Sequence, residues 1–540
     1  MSDPSQENPV APDGDQPPHP IAPGNHARNR PDEPTSARDS PSIPLRIWPV
    51  VLLLTAMAVT KYGPRLLDGE SMALLVLMVL GPVALGAGIL LWWLTLSRAT
   101  WKERMIGFFG ALIAAGATAA AADFTLVGPG MIVMMVPMGT AAFGLAAILA
   151  HRAQPFRRTA TVLLASTIGF GFTALLRSDG MWGDGSIDWQ WRWQPSAEET
   201  LLAGRPEQPS FETSGLAAEQ ADAWIANPEW PGFRGADGQS QLVDIELNGD
   251  WVQYPPKELW RIPVGPGWSS FAVAGNLIFT QEQLGEEEAV SCYTADEGKT
   301  IWSHKIRSRF FDPLGGPGPR ATPTLAESGL FVMGANGQVQ RLDPITGEVA
   351  WSIDVREIAN REPPTWGFSS SPLVVDSLVV VHAGGADDKG ILAFRSDNGK
   401  LAWSQPSGDH SYSSPQLATL GGKRCVLMLT NAGLDIIDPK LGRTLLSYEW
   451  PHDGYRTLQP RVLPDESILL PTQILGTRRI RLNTDTDPWT AEEMWTCDRF
   501  KPDFNDFVVF EDHAYGFDGT IFACMNLNSG QRVWKRGRYG

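Results

Sequence analysis

Six stretches in the second half of the chain bring aromatic, cationic and acidic side chains together between predicted strands. They are Gly265–Trp268, Arg309–Arg320, Pro363–Trp366, Asp409–Tyr412, Asp453–Arg456 and Lys501–Asn505. Aromatic rings provide stacking area and arginines bind carboxylates, so these stretches together could form a concave pocket for an anionic or aromatic ligand or a partner's loop. The alternative is that the loops only fill a central channel. The candidate binding residues are Trp268, Arg320, Trp366, His410, Tyr412, Arg456 and Asn505.

The residue types that hold metals or act as nucleophiles show no matching spacing. The cysteines are far apart and form no CxxC pair, so we expect buried free thiols at Cys292, Cys425, Cys497 and Cys524. The histidines lack the spacing of metal ligands. Gly315–Gly318 lacks the lysine and the following helix of a phosphate loop. The sequence therefore predicts neither a catalytic residue nor a metal ligand.

The elements that must position the six loops are marked by a repeated phrase, a glycine followed four residues later by tryptophan. Its copies are Gly298–Trp302, Gly347–Trp351, Gly399–Trp403 and Gly530–Trp534, and a fifth copy, Gly442–Leu446, ends in leucine. Each copy reads as strand, turn and strand. In the second copy Gln338–Leu342 and Glu348–Trp351 alternate, while the intervening aspartate and glycine favour a tight turn.

Each hairpin follows a second β-rich pair, so one unit holds about four strands. The closing tryptophans and their equivalents lie at positions 260, 302, 351, 403, 446, 495 and 534. A spacing of roughly forty to fifty residues is typical of four-stranded propeller blades. The sequence predicts a β-propeller over residues 229–540, with six recognisable units.

The composition limits the partners and the organisation of the rest of the chain. The net charge of −16 argues against nucleic-acid binding as the main task. Residues 1–45 are rich in proline and carry almost no large apolar side chain, so we expect a disordered tail without a signal peptide. Residues 178–228 form a connector, in which Ser196–Glu199 fits the capping box of a helix. Its tryptophans, Trp182, Trp189, Trp191 and Trp193, indicate an interfacial belt, or a packed strand on which the last three share one face.

Residues 46–177 are predicted to form transmembrane helices. Apolar segments at 47–61, 72–96, 105–122, 126–150 and 159–176 favour five spans, with four as the alternative. The absence of charge at mid-span favours a membrane anchor over a transporter. Two loops are strongly basic, which by the positive-inside rule puts them and the N-terminus in the cytoplasm. With five spans, the propeller of an inner-membrane protein faces the periplasm; with four it stays cytoplasmic. The basic residues are Arg98, Lys102, Arg104, Arg152, Arg157 and Arg158.

Several phrases together resemble a known family. They are Trp230–Gly235, Leu259–Val264, Trp268–Ser270, Ser369–Pro372 and the Asp-x-x-Thr-Gly-x-x-x-Trp hairpins. The chain resembles the PQQ-like (quinoprotein-type) β-propeller repeat proteins, especially membrane-anchored planctomycete forms, and more distantly the outer-membrane assembly propeller lipoprotein. The resemblance covers roughly residues 228–540, and it is specific for the fold and weak for activity.

The resemblance implies about eight blades, joined by docking tryptophans. The matching docking residues are Trp302, Trp351, Trp403 and Trp534. It also implies that Leu259–Val264 is the outer strand of the last blade. Because only six units with their own hairpin are found, we expect a chain truncated by about two blades; a closed six-bladed ring is the alternative.

Three functions are compatible with these features of the sequence. The leading hypothesis is a non-catalytic, membrane-anchored scaffold that binds a ligand or protein and needs no cofactor. The second is a PQQ-dependent oxidoreductase with calcium, for which Asp312, Asp409, Asp453 and Asp503 would supply carboxylates. That enzyme would also need adjacent cysteines, which the chain lacks. The third is an envelope protein assembly factor that binds the exposed edge strand of its partner. The expected partners are the lipid bilayer and either an envelope protein or a small anionic or aromatic ligand.

Overall fold

The computed structural model describes residues 43–66, 72–126, 128–181, 187–205, 217–242, 245–312 and 314–538. An N-terminal helical bundle is followed by a short connector and by six four-stranded antiparallel sheets within this part of the chain. The predicted combination of membrane-type helices and a β-propeller is confirmed. Most of the predicted tail lies outside the described residues, which begin at Ile43.

Among the described residues, five helices build the bundle, and each overlaps one of the predicted apolar segments. They are α1 (Trp48–Tyr62), α2 (Met72–Thr95), α3 (Trp101–Ala121), α4 (Pro129–Leu149) and α5 (Pro155–Gly171), with short 3-10 turns at Gly63–Leu66, Phe124–Leu126 and Phe172–Leu175. Four of them are long and apolar enough to cross a membrane, whereas α1 has 15 residues. A span needs about 20 residues, so α1 alone is short for one.

Backbone contacts show that the helices alternate in direction. The Leu45 N–H donates to the carbonyl of His151, and the Arg46 N–H donates to the carbonyl of Ser97. The start of α1 and the ends of α2 and α4 therefore share one end of the bundle. The loops with the basic residues lie at this end. The turn between α3 and α4 and the exit of α5 lie at the other end, where Ser178 donates to Thr125.

A buried ion pair closes the basic end of the bundle. Arg158, at the start of α5, makes two hydrogen bonds of 2.8 Å to the carboxylate of Glu103, at the start of α3. Both side chains are almost fully buried. Glu103 also accepts from the Thr100 N–H, which completes a capping box on α3. The pair lies near the bundle end rather than at mid-span, where no charge was expected.

The connector begins with a hairpin of β1 (Leu176–Met181) and β2 (Ile187–Trp191), followed by α6 (Ala197–Gly204) and α7 (Ala218–Ala226). The predicted capping box on α6 is confirmed, because Ser196 and Glu199 exchange hydrogen bonds. Trp191 stacks on Trp193 at 4.9 Å and contacts Phe172 of the bundle. These rings are exposed at the bundle end, which favours the interfacial interpretation.

Each sheet has its four strands in chain order. Sheet 1 contains β3 (Ala272–Ala274), β4 (Leu277–Leu284), β5 (Glu287–Thr294) and β6 (Thr300–Arg307). The short hairpin β7 (Phe311–Asp312) and β8 (Gly316–Pro317) leads to sheet 2, with β9 (Thr324–Ala326), β10 (Gly329–Met333), β11 (Gln338–Leu342) and β12 (Val349–Asp354). A short helix, α8 (Val355–Ala359), precedes sheet 3, with β13 (Leu373–Val375), β14 (Leu378–His382), β15 (Ile391–Arg395) and β16 (Leu401–Gln405).

The remaining three sheets repeat this plan. Sheet 4 contains β17 (Gln416–Leu420), β18 (Lys423–Leu429), β19 (Gly433–Ile437) and β20 (Thr444–Glu449). Sheet 5 contains β21 (Arg461–Val462), β22 (Ile468–Thr472), β23 (Gly476–Asn483) and β24 (Thr490–Cys497). Sheet 6 contains β25 (Phe507–Phe510), β26 (His513–Asp518), β27 (Ile521–Asn526) and β28 (Arg532–Arg538). The middle strands of the sheets are the most buried, and their side chains form the cores between neighbouring sheets.

The repeated tryptophans join successive sheets through the repeated glycines. The Trp302 ring lies on Gly347 of the next hairpin, and its Nε1–H donates to the carbonyl of Pro344 at 3.1 Å. A positive φ and the nearby ring leave no room for a Cβ at this glycine. The other pairs with this arrangement are Trp260 with Gly298, Trp351 with Gly399, Trp403 with Gly442 and Trp495 with Gly530.

The predicted strand Leu259–Val264 is not a strand in the structure. Trp260 nevertheless docks on sheet 1, where its Nε1–H donates to the carbonyl of Ala295 at 2.9 Å. The reason for the difference is that, in the described residues, no neighbouring strand pairs with this segment. At the other end of the repeat, Trp534 contacts Tyr515 and Phe522 of its own sheet.

Candidate functional site

The six candidate loops lie on one face of the propeller. In a four-stranded antiparallel sheet, the loop that leaves the fourth strand emerges at the same end as the loop between the second and third strands. The Gly–Trp hairpins, which join the third and fourth strands, therefore lie on the opposite face. We call the face that carries the six candidate loops the loop face. The structure thus separates the candidate binding residues from the hairpins that join the sheets.

Four loops bring their aromatic side chains into one cluster on the loop face. Trp366 lies 4.6 Å from Tyr455 and 5.3 Å from Tyr412, between ring centroids. Tyr412 also contacts His410 at 5.0 Å, and Tyr455 lies 6.1 Å from Phe504. We call Trp366, Tyr412, Tyr455 and Phe504 the aromatic cluster. Trp366 and Tyr455 are half-buried and Phe504 is 66% exposed, so the cluster offers ring surface to a partner.

Burial shifts the titration of the polar groups beside the aromatic cluster. Burial raises the pKa of Asp503 to about 6, although a hydrogen bond from Thr457 acts in the opposite direction. Burial also raises the pKa of Tyr412 and lowers that of His410. The lowered pKa of His410 favours the neutral imidazole, while the Asp503 carboxylate and the charges of Arg361 and Asp409 border the aromatic cluster.

Arg320 and Trp268 lie in the loops of sheets 1 and 2, outside the aromatic cluster. Arg320 forms a buried salt bridge of 2.6 Å with Asp312 and donates to the carbonyl of Gly316. Trp268 is 66% exposed and donates through Nε1 to the carbonyl of Gly315 at 2.7 Å. These contacts hold the turn after β7, so both side chains are engaged in shaping this loop.

Arg456 is enclosed rather than presented to solvent. It is 1% exposed, donates to the carbonyls of Thr430, Pro471 and Trp450, and lies over the Trp450 ring at 4.9 Å. Burial lowers its pKa to about 9. Asn505 is exposed in the loop after sheet 5, next to Phe504. Of the seven candidate residues, the structure brings Trp366, His410 and Tyr412 together.

The centre of the propeller is occupied by residues 230–241, which we call the central segment. Trp230 pairs with Val273 of β3 through two backbone hydrogen bonds. Arg234, which is 6% exposed, forms a salt bridge of 3.0 Å with Asp506 and donates to Gln459. The contacts of this segment reach the first strands of sheets 1, 2, 4, 5 and 6 through Val273, Leu325, Gln416, Arg461 and Val509.

Sequence reasoning quoted Trp230–Gly235 without assigning it to the centre. The feature of the sequence that could have indicated this position is Arg234 between Gly232 and Gly235, directly before the repeats. Glycines allow close approach of backbones, and an arginine has enough donors to join several loops. The sequence does not reveal which side of the propeller such a phrase enters, because its partners lie up to 272 residues away.

The loop face lies at the bundle end that carries the connector. Phe124 of the α3–α4 turn contacts Phe311 of β7, with ring centroids 5.4 Å apart. Glu198 of α6 forms a salt bridge of 2.9 Å with Arg309 and accepts from the Gly285 N–H. Arg205, after α6, donates to the buried carboxylate of Glu282. The loop face is thus the face of the propeller nearest to the helices.

The residues do not fit PQQ with calcium. Cys292, Cys425, Cys497 and Cys524 are buried free thiols in four different sheets, so no two can form the disulfide that would lie against this cofactor. Among the described residues, no group of three or more histidine, cysteine or acidic side chains could hold a metal ion. The central segment fills the middle of the propeller. We therefore derive no chemical step through a quinone.

A family model confirms the character of the repeats. Residues 255–367 and 361–459 match the family described as outer membrane protein assembly factor BamB. The predicted PQQ-like repeat resemblance is confirmed. No curated protein sequence matches the chain.

Several solved structures are similar to part of the chain. BamB from Moraxella catarrhalis shares 16% identity and a TM-score of 0.35, covering 50% of this chain and 72% of its own. A europium-containing methanol dehydrogenase shares 11% identity and a TM-score of 0.31, covering 52% and 79%. Quinohemoprotein alcohol dehydrogenase from Comamonas testosteroni shares 11% identity and a TM-score of 0.34, covering 63% and 77%.

Proposed function

We propose that this chain is a membrane-anchored β-propeller scaffold that binds a protein partner through the aromatic cluster. One observation carries the proposal. The partly exposed rings of Trp366, Tyr455 and Phe504 form one continuous aromatic surface on the loop face, beside the central segment that joins five of the sheets. The scaffold acts by binding and holding its partner, without a cofactor.

The chemistry of the cluster favours a protein partner. Large aromatic side chains that lose little conformational entropy dominate the binding energy of protein interfaces. The family model that matches the repeats is described as an assembly factor for outer membrane proteins, which adds support for a partner in the cell envelope. The edge strand or loop of an envelope protein is a suitable occupant.

The charge of the bundle ends supports a periplasmic position for the propeller. Arg98 and Arg152 lie in loops at the end opposite the propeller. The positive-inside rule puts that end in the cytoplasm and the propeller in the periplasm of an inner-membrane protein. The alternation of all five helices supports this arrangement, provided that α1 crosses the bilayer together with its following 3-10 turn.

Site-specific crosslinking in intact membranes tests the scaffold proposal. A photo-crosslinking residue at position 504 is expected to give a discrete protein adduct. The same residue at Leu401, which is 48% exposed on the outer strand β16, is the matched control and is expected to give none. Trp366→Ala should abolish the adduct at 504 without changing the protein level. Equal adducts at 504 and 401, or an adduct unaffected by Trp366→Ala, would contradict the proposal.

Addition of PQQ and calcium to the purified full chain separates the scaffold from the quinoprotein alternative. We expect neither a change of quinone absorbance nor a shift of the unfolding midpoint. A ligand at 100 times its dissociation constant stabilises a protein by about 2.7 kcal/mol, which thermal unfolding detects easily. Stabilisation of that size would refute the non-catalytic reading.

A further inference from the structure

A small enclosed cavity lies between sheets 1 and 2, apart from the aromatic cluster. Its volume is about 10 Å³, and its lining includes Gln281, Glu288, His304, Gln338 and Gln340. Two buried polar atoms that line it have no hydrogen-bond partner in the described part of the chain, Glu288 Oε2 and His304 Nε2. Buried polar atoms are nearly always paired, so two of them around one cavity indicate a common ligand.

The strand register places these two side chains on the same side of sheet 1. Glu288 is opposite Ile306, and Val290 is opposite His304. Glu288 and Val290 are two residues apart on β5, so Glu288 and His304 are diagonal neighbours. Long side chains in this relationship reach each other, directly or through a small molecule.

The other groups around the Glu288 carboxyl are already engaged. The N–H of Ala335 hydrogen-bonds to this carboxyl. A Cβ on the neighbouring Gly334 would lie 2.3 Å from Glu288 Oε1, so the glycine makes room for the carboxyl. On β4, the amide of Gln281 donates to the carbonyls of Ala321 and Met333.

The charged groups that face the cavity are few. His304 interacts with the side chain of Gln340 on β11. The cation that acts on Glu288 is Arg320, and that guanidinium already pairs with Asp312 at 2.6 Å. A carboxylate at Glu288 would therefore be buried without a cation of its own, which is costly in a low-dielectric site.

We propose that this cavity is a proton and water site, in which one water molecule bridges Glu288 Oε2 and His304 Nε2 while Glu288 holds a proton. A cavity of this volume accommodates about one water molecule. The Oε2–H of the protonated carboxyl donates a hydrogen bond to the water, and the water donates one to the unprotonated Nε2 of the imidazole. No bond is made or broken beyond the protonation of the carboxyl.

The titration of both groups agrees with this assignment. Burial raises the pKa of Glu288 to about 7, and burial lowers the pKa of His304. The carboxyl is thus largely protonated below about pH 7, and the lowered pKa of His304 favours the neutral imidazole beside it. The neutral pair joined by water avoids a buried charge.

The cavity lies next to an open groove. An open groove of about 350 Å³ lies between the same two sheets, lined by Arg307, Ser308, Asn336 and Arg356. Ile306 and Gln338 border both the groove and the inner cavity. These two side chains therefore lie between the cavity and the groove.

The expected consequence is a pH-dependent propeller. The pKa of Glu288 is higher in the folded than in the unfolded chain, so the folded state binds more protons between the two values. Stability from this group is fully present below about pH 4.5 and is lost as the pH rises through about 7. The contact between sheets 1 and 2 is therefore more stable when Glu288 is protonated.

Full-length protein in detergent micelles tests the site by urea unfolding, followed by tryptophan fluorescence, from about pH 5 to about pH 8. Glu288→Gln keeps the size of the side chain and removes the titration. The matched control is Glu287→Gln, whose carboxylate faces solvent and lies 3.3 Å from Lys305. Relative to Glu288→Gln, the wild type and the control should lose stability across this range, by on the order of 100-fold in the unfolding equilibrium constant. An identical pH dependence in all three proteins would overturn the proposal.

Two spectroscopic and structural readouts keep the test valid if Glu288→Gln folds poorly. The infrared spectrum of the wild type should contain the carbonyl band of a protonated carboxylic acid that disappears as the pH rises through about 7. A high-resolution density map should contain one solvent peak within hydrogen-bond distance of Glu288 Oε2 and His304 Nε2. The absence of a titrating acid band, or a dry cavity, refutes the corresponding half of the proposal.

Discussion

The indole of Trp351 lies directly against Gly399 of the next sheet, where a Cβ would come within 3.0 Å of the ring. The Nε1–H of the same tryptophan donates to the carbonyl of Ser396 at 2.9 Å. One side chain thus holds the neighbouring hairpin by stacking and by a hydrogen bond. The same contact recurs between other neighbouring sheets. The repeated glycine and tryptophan of the sequence therefore hold neighbouring blades together.

The first prediction concerns this joint. Gly399→Ala adds a Cβ both to a backbone with φ of +71° and to the space filled by Trp351. We expect a loss of about 2–4 kcal/mol in the free energy of unfolding, from backbone strain together with overpacking. The control is Gly422→Ala, because Gly422 has a φ of +72° and nothing within 4 Å. It should cost about 1–2 kcal/mol. Equal losses in urea unfolding would show that the tryptophan contact contributes nothing.

The architecture was predictable because it depends on local signals repeated many times. The predicted strand Gln338–Leu342 is β11, and the predicted turn at Gly347 has a φ of +75°. Hydrophobic length likewise predicted the helices of the bundle. A strand at Leu259–Val264 was predicted wrongly, because strand formation requires a neighbour that the sequence pattern does not supply.

The candidate site was predictable only in part. Trp366 and Tyr412 were identified because aromatic residues in loops are visible in the sequence. Tyr455 and Phe504, which complete the aromatic cluster, lie next to the chosen residues Arg456 and Asn505 and were passed over. Loops have no regular periodicity that tells which side chains are buried and which are exposed. The sequence therefore does not show which of two neighbouring loop residues joins the cluster.

The second prediction concerns the central segment. Arg234→Gln removes the salt bridge to Asp506 and leaves Gln459 without its donor. Because the arginine is buried and the aspartate partly exposed, we expect a loss of about 3 kcal/mol in the free energy of unfolding. Limited proteolysis should then cut within residues 245–258 faster than in the wild type. Arg261→Gln, which removes an exposed pair with Glu258, is the control and should leave both readouts unchanged. If Arg234→Gln is cleaved no faster than the wild type, Arg234 does not hold the central segment in place.

The third prediction concerns the attachment of the connector to sheet 1. Glu282 is buried and accepts from Arg205 at 2.9 Å, from Ser291 and from Tyr293. Burial tends to raise its pKa, but these hydrogen bonds outweigh burial and lower it. The pair therefore stabilises the fold above the unfolded pKa near 4.5, and this contribution is lost as the pH falls through the lower folded value.

Arg205→Met should accordingly loosen the connector near neutral pH. Hydrogen exchange of peptides that cover Ala197–Gly204 is expected to speed up at pH about 7, and the difference from the wild type should shrink under strongly acidic conditions. Lys299→Met breaks an exposed pair with Glu297 and serves as the control. A difference that grows on acidification would contradict the assigned direction of the pKa shift.

The last prediction concerns the buried pair of the helical bundle. Arg158→Met leaves the Glu103 carboxylate buried without its cation, and Glu103→Met leaves the guanidinium without its anion. Each single change should cost about 3–5 kcal/mol, because an unpaired buried charge is left behind. The double change removes both charges and fills the space with apolar side chains of similar length, so it should recover most of the loss. Thermal unfolding of the bundle in detergent measures the three variants. Arg192→Met, which removes a part-exposed pair with Asp123 at 3.7 Å, should change the midpoint little. If the double variant is as unstable as the two single losses added together, the two residues act independently and the pair does not lock the basic end of the bundle.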